Sequence, residues 1–329
     1  MDFLHILSQM LVLCVPIAAG FVARKLDFMD DKMDNAISRL VLNFTLPCLL
    51  IASLGSAGQL PDANTVLVLV AIGAVGYLIA IAIAYLVPLL LHAPRTEAGA
   101  YRFVITFGNV GFIGYPVLSA IYGPQAVLYA AIANIPCNLF MYSLGIAMVR
   151  SGAMGAQGAL SDGSGAGAQA ERRLPLGERL RRLAHDIANP TFIASIALLV
   201  LVLLGVSDLG IVGQGLSVVG DFTTPAVLLV IGASLAQYDP RIIFNNWRAY
   251  VVAACRLLVV PLAMLLILGR FLPDELVRGV LIVGCAMPAA SNGVLFSLLY
   301  GADVKPMMQA TFLTIAASVL TIPLVTMLV

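Results

Sequence analysis

The chain is written in long apolar runs separated by short polar ones, with no sustained alternation of period two. The runs fall at about residues 3–22, 33–54, 64–91, 98–122, 125–149, 189–206, 211–236, 244–269, 274–300 and 304–328. At roughly 20 residues per bilayer crossing, each suits one transmembrane helix. The expected fold is therefore an all-α membrane protein of ten transmembrane helices. Outer-membrane barrels use alternating segments of about ten residues, so continuous runs argue for an α-helical bundle. The first run is followed rather than preceded by its basic residues, Arg24 and Lys25, and so reads as a retained helix, not a secretory signal.

Composition agrees with this pattern. Of 329 residues, 61% are hydrophobic and 11% charged, against about one-quarter charged in ordinary soluble domains. The net charge of +1 is uninformative as a sum, and no nucleic-acid partner is suggested. The distribution of cations says more than their sum. Of 18 Lys and Arg residues, fifteen lie in or beside the connections after runs one, three, five, seven and nine. Arg270 and Arg278 lie on the opposite side, and Arg256 lies within the eighth run. The positive-inside rule then places both termini on the non-cytoplasmic side. A compact Ala- and Gly-rich chain of this kind suggests a bacterial inner membrane.

The longest connection, residues 150–188, opens with SGAMGAQGALSDGSGAGAQA, which is too poor in large apolar residues to fold and reads as a flexible cytoplasmic linker. The ERRLPLGERLRRLAHD stretch after it spaces Leu176, Leu180, Leu183 and Ile187 helically opposite arginines. Either an amphipathic helix on the inner leaflet or a charged tether fits that pattern.

Two motifs recur at one spacing. Asn43-Phe44-Thr45-Leu46-Pro47 matches Asp221-Phe222-Thr223-Thr224-Pro225 at an offset of 178, and Ser119-Ala120-Ile121-Tyr122-Gly123 matches Ser297-Leu298-Leu299-Tyr300-Gly301 in the same register. Duplication explains both. Residues 1–149 form a first five-helix repeat and residues 189–329 a second. Five being odd, the second copy enters the membrane from the opposite side. Inverted repeats build secondary transporters whose substrate sites lie where interrupted helices meet near the midplane.

The fourth and ninth runs are the candidates for interruption. The fourth, ITFGNVGFIGYPVLSAIYG, clusters Gly108, Asn109, Gly111, Gly114 and Pro116, while the ninth, VGCAMPAASNGVLFSLLYG, holds Pro288, Ser291, Asn292 and Gly293. A break in lipid must face protein, water or ligand. Half-helix N-termini carry partial positive charge, so two of them converging favour an anion.

At these residues the chain resembles the auxin efflux carrier family, which includes the plant PIN carriers and bacterial malonate-transporter-like members. The resemblance spans nearly the whole chain. It implies the fold of sodium/proton antiporters and bile-acid symporters, with broken, crossed fourth and ninth helices. Helices one, two, six and seven would form a scaffold, often a homodimer interface, against which helices three to five and eight to ten would move as an elevator. Carried over by position, Pro116 and Pro288 look like the crossover breakers and Asn109 and Asn292 the adjacent amides. Gly111, Tyr115 and Ser291 belong to the same stretches. Asn134 and Asn138, one turn apart on a helix, would line the same cavity, or else bond helix to helix. Bile-acid relatives use an acidic residue in the ninth helix to bind sodium, and this chain has none between Glu275 and Asp303.

Two charges stand inside apolar runs. Arg256 can bind a carboxylate bidentately, or pair structurally. Asp221 is the candidate for proton coupling, if burial raises its pKa, or else a residue at a wet interface. Cys14, Cys48, Cys137, Cys255 and Cys285 read as packing residues, and His5, His92 and His185 lie too far apart in sequence to suggest a metal site. No cofactor is expected. With no phosphate-loop motif and no paired catalytic groups in the sequence, the expectation is no enzyme but a secondary transporter of a small mono- or dicarboxylate, auxin-like or malonate-like. The alternatives are a sodium-coupled, bile-acid-like symporter, a channel or sensor, and an intramembrane enzyme.

Overall fold

The structure is a computed structural model describing residues 3–56, 60–160, 189–237, 245–272 and 274–329. Most of the expected central linker, with its amphipathic segment, lies outside the described residues. The helices are α1 (Phe3–Lys25), α2 (Asp31–Ser56), α3 (Ala63–Leu90), α4 (Arg95–Thr106) and α5 (Val110–Tyr122). They continue as α6 (Gln125–Ala153), α7 (Pro190–Leu203), α8 (Gly210–Gln237) and α9 (Trp247–Phe271). The last three are α10 (Glu275–Cys285), α11 (Asn292–Leu299) and α12 (Val304–Thr326). Among the described residues six of them, α2, α3, α6, α8, α9 and α12, are by length and composition long and apolar enough to cross a membrane. Among the described residues there is no β-strand, only one isolated bridge. Helical turns after α6 continue to Leu160, into the segment expected to be a flexible linker; extending an existing helix avoids a new nucleus, and Gly152 packs closely on the Thr96 carbonyl of α4.

The helix starts follow capping rules. Asp30, Asp62, Asn189 and Asp274 accept hydrogen bonds from the amides of Met33, Thr65, Phe192 and Val277, satisfying donors that would otherwise face lipid or protein unpaired. Bonds from the Thr65 side chain and amide hold the Asp62 carboxyl below the usual carboxylate range. Prolines shape the helix interiors. π-helical turns at Val41–Thr45, Val110–Gly114 and Cys255–Val259 each end two residues before a proline, Pro47, Pro116 and Pro261. A proline ring clashes with the carbonyl four residues back, here that of Asn43, Phe112 or Leu257, and a widened turn moves that carbonyl aside.

Two groups of helices can be told apart, although they share one apolar cluster that includes Leu50 and Leu198 of the first and Leu69 and Leu128 of the second. In the first, α1 lies along α8, and α2 packs on α7 and α8. The contact is backbone to backbone: a Cβ on Gly20 would strike the Leu229 carbonyl, and one on Gly232 that of Ile17. At one end, Arg24 pairs with Asp31 at 2.5 Å and Asp34 at 3.3 Å, and the Gln237 amide donates to Asp34 at 2.9 Å. In the second group, α3 packs on α4 and α6, while α9 packs on α10 and α12. Between the groups lies a cavity of about 40 Å³ lined by aliphatic side chains of α1, α5, α8 and α12, with Cys14 and Ser318 the exceptions.

Within the first group, the buried Thr223 hydroxyl donates to that of Thr45 at 2.8 Å, joining residues 178 apart. Thr223→Val is expected to cost about 1–3 kcal/mol, because it strands a buried hydroxyl. The double variant Thr45→Val/Thr223→Val should cost less than twice that, since neither partner is then left unpaired. Thermal unfolding of the three variants measures the difference, and strict additivity would count against a coupled pair.

Candidate functional site: a crossing of two broken helices

The runs at 98–122 and 274–300 are each interrupted, α4 from α5 at residues 107–109 and α10 from α11 at residues 286–291. The two interruptions pair with each other. Gly108 and Ala289 form an antiparallel bridge, the Asn109 amide donates to the Pro288 carbonyl at 2.7 Å, and the Ala290 amide donates to that of Phe107 at 2.9 Å. The Ala289 amide donates to the Thr314 hydroxyl of α12 at 3.0 Å. Backbone groups freed by the breaks are thus satisfied within protein, as lipid surroundings require.

Four helix ends meet here, and the two kinds are treated differently. On the C-terminal side, Arg256 reaches in from the π-helical turn of α9. It is 3% exposed. Its Nε donates to the Met287 carbonyl at 3.0 Å, and its Nη1 to the carbonyls of Ile105 and Thr106 at 3.1 and 3.2 Å. These carbonyls lie at or just beyond the ends of α4 and α10, where the helix dipoles place partial negative charge. Among the described residues no carboxylate pairs with Arg256, so carbonyl oxygens and helix ends compensate this buried cation. Gly108 makes room for it, since a Cβ there would overlap the guanidinium.

On the N-terminal side stand uncharged donors. The Asn109 Oδ1 accepts from the Phe112 amide at 3.2 Å, capping α5, and its Nδ2 donates to the Ser291 Oγ across the crossing at 3.3 Å. Ser291 is exposed and Asn109 buried. Asn292 opens α11, and its Nδ2 points to the Met141 sulfur at 3.4 Å. Phe103, Phe107 and Phe296 pack ring on ring behind this side, with centroids 5.0 and 5.9 Å apart.

A second cavity, about 50 Å³, lies inside the second helix group and is bordered by Tyr77, Thr106, Asn134, Arg256 and Cys285. At roughly 10–15 Å³ per water it has room for a few waters. The Tyr77 hydroxyl donates to the Asn134 Oδ1 at 2.8 Å across it.

Of the residues expected at the site, the crossing brings together Asn109, Pro288 and Ser291, with Asn292 one residue beyond and Arg256 opposite. Gly111 lies in the first turn of α5. Pro116 sits in the second turn of α5, buried, while the break falls at residues 107–109; of the two prolines, Pro288 alone lies in an interruption. Tyr115 is buried beside Pro116. Asn134 borders the second cavity, and Asn138, one turn on, is half-buried and does not. Asp221 ends the first half of α8 with its side chain exposed, so the burial on which its coupling role depends is not found. Thr314 and Tyr77 carry no sequence motif that marks them for the site. Tyr77 is distinguished only as a hydroxyl among glycines in an apolar helix.

Apolar helices with two paired interruptions describe an integral membrane protein built around a crossing. A family model described as "Membrane transport protein" matches residues 5–326. The chain belongs to this membrane transporter family, the auxin efflux carrier and malonate-transporter-like group that its motifs resemble. Among curated proteins it is similar to an uncharacterized transporter of Methanothermobacter thermautotrophicus, 23% identical over 98% of each chain. It is also similar to the uncharacterized transporter YfdV of Escherichia coli, 22% identical over 97% of this chain and 96% of that one. A third relative, an uncharacterized transporter of Methanocaldococcus jannaschii, is 23% identical over 69% of this chain and 67% of its own.

Proposed function

We propose that the protein is a secondary transporter of a small organic anion, a mono- or dicarboxylate, held at the N-terminal side of the crossing. The observation that carries this reading is the Asn109 to Ser291 hydrogen bond. It puts an amide and a hydroxyl side by side at the N-terminal ends of α5 and α11, where the helix dipoles favour an anion. Arg256 offsets the opposing C-terminal dipoles, so the local field at the crossing is net positive.

In this reading the helices form two inverted repeats of five crossings each, α4 with α5 and α10 with α11 counting as one crossing apiece. The hydrogen bond between Thr45 and Thr223 supports it, since a contact between repeat-equivalent residues is expected on a pseudo-twofold axis. The group of α1, α2, α7 and α8 would serve as scaffold and dimer face, and the other helices as the moving part. The distribution of Lys and Arg supports an inner-membrane protein with both termini outside the cytoplasm.

Thermal shift of the detergent-purified protein with malonate, malate, succinate, pyruvate and indole-3-acetate tests the anion class. A ligand at a hundredfold its Kd stabilises by about 2.7 kcal/mol. One or more acids should raise the Tm of wild type and not of Asn109→Ala. Counterflow of that acid in proteoliposomes should then saturate. Stabilisation by cationic or neutral compounds alone would refute the anion reading.

A further inference from the structure

We propose that Arg256 is a resident cation standing where a coupling alkali ion would otherwise sit, so that the crossing assembles and binds its anion without sodium. In broken-helix transporters, unwound carbonyls and half-helix C-terminal ends are the groups that coordinate coupling cations. Here three such carbonyls, those of Ile105, Thr106 and Met287, converge within 3.0–3.2 Å of one guanidinium. They belong to both interrupted segments, one on each side of the bridge. Oxygens so placed on two dipole ends repel one another unless a positive charge lies between them.

A tethered side chain supplies that charge at no cost in ion binding. Nε and Nη1 address different segments at once, which the planar fork of arginine permits and a single ammonium does not. Gly108 keeps the space open, because any side chain there would occupy the position of the guanidinium. The site is enclosed apart from the small cavity beside it, and 3% exposure leaves the charge little contact with solvent. A lone structural arginine would need only partners; this one stands among carbonyls at two helix C-terminal ends and joins α9 to both broken segments.

The consequence for transport rests on the carrier reading, so the primary measurement uses no substrate. Thermal unfolding of detergent-purified wild type, Arg256→Ala, Arg256→Gln and Arg256→Lys is followed in sodium, potassium, choline and low-millimolar guanidinium chloride at constant ionic strength. Wild type and Arg256→Lys should each unfold at one temperature in all four. The neutral variants should unfold earlier and regain roughly 3 °C or more in sodium or guanidinium relative to choline. A sodium-dependent rise in wild type would overturn the proposal. So would neutral variants that fold equally well, or equally badly, with every cation. Transport of an identified acid then supplies the second reading: wild-type rates within twofold in sodium and choline, and a sodium requirement acquired by Arg256→Gln. Failure to find any transported acid would count against the carrier reading and leave the unfolding result intact.

Discussion

Gly108→Ala should leave little folded protein. A Cβ at this position overlaps the Arg256 guanidinium, with the Met287 carbonyl at 3.4 Å on the same side. Relief requires the guanidinium to withdraw, breaking its three bonds to Ile105, Thr106 and Met287. Hydrogen bonds to a charged group contribute about 1.5–3 kcal/mol each, so their joint loss is on the order of 5 kcal/mol, comparable with the whole stability of many folded chains. Gly215→Ala is the control. Nothing lies within 4 Å of a Cβ there, and alanine in a helix gains roughly 0.5–1 kcal/mol over glycine. Size-exclusion profiles and thermal unfolding in detergent compare the two. A monodisperse Gly108→Ala protein with wild-type Tm would mean that the guanidinium moves freely and is not tied to the crossing.

Asn109→Asp should abolish acid transport while keeping the fold. Aspartate caps a helix as well as asparagine does, so the bond from the Phe112 amide survives. The Nδ2 donor to Ser291 is lost, and a negative charge appears at the proposed carboxylate site. Two like charges about 4 Å apart repel by roughly 4 kcal/mol at an effective dielectric of 20, near a thousandfold in affinity. Uptake of the identified acid into proteoliposomes should fall at least about a hundredfold, with Tm nearly unchanged. An Asn109→Asp variant that carries the acid at close to the wild-type rate would remove the anion site from the N-terminal side.

Much of the crossing is legible in the sequence, for identifiable reasons. Glycine, proline and amide residues cluster at Gly108 to Pro116 and at Pro288 to Gly293, and both runs are broken. The π-helical turns are not legible in the same way: three precede Pro47, Pro116 and Pro261, but Pro16, Pro88 and Pro323 lie in α-helix and the turn Met141–Gly145 precedes no proline. Arg256 is conspicuous as a charge in an apolar run. Its partners are not, because backbone carbonyls are present at every residue and have no sequence signature. Pro116 illustrates a related limit: a proline early in a helix bends or widens it without ending it, and the interruption of the fourth run falls at Phe107–Asn109. Asp221 occupies the position equivalent to Asn43, yet both side chains are exposed, and no periodicity in a uniformly apolar run distinguishes a lipid-facing position from a buried one. Thr45 and Thr223 share a motif position at the offset of 178, but their hydrogen bond is visible only in the structure.

The seam between the two helix groups is apolar where α1 and α8 face α5 and α12. Its walls carry aliphatic side chains from Leu13, Ile17, Ile113, Leu228, Ile231 and Ile315, and the Ser318 hydroxyl at its edge is already donated to its own helix at the Ile315 carbonyl. A hydrogen-bonded interface has a preferred register and resists displacement until its bonds break. Methyl groups against methyl groups impose almost none, since the dispersion attraction given up at one position is regained at the next. Along this stretch of the seam the fit is set by side-chain bulk on α1 and α8, whereas the Asn189 amide, donating to the Tyr142 hydroxyl at 3.5 Å, gives the α7 to α6 contact a polar register.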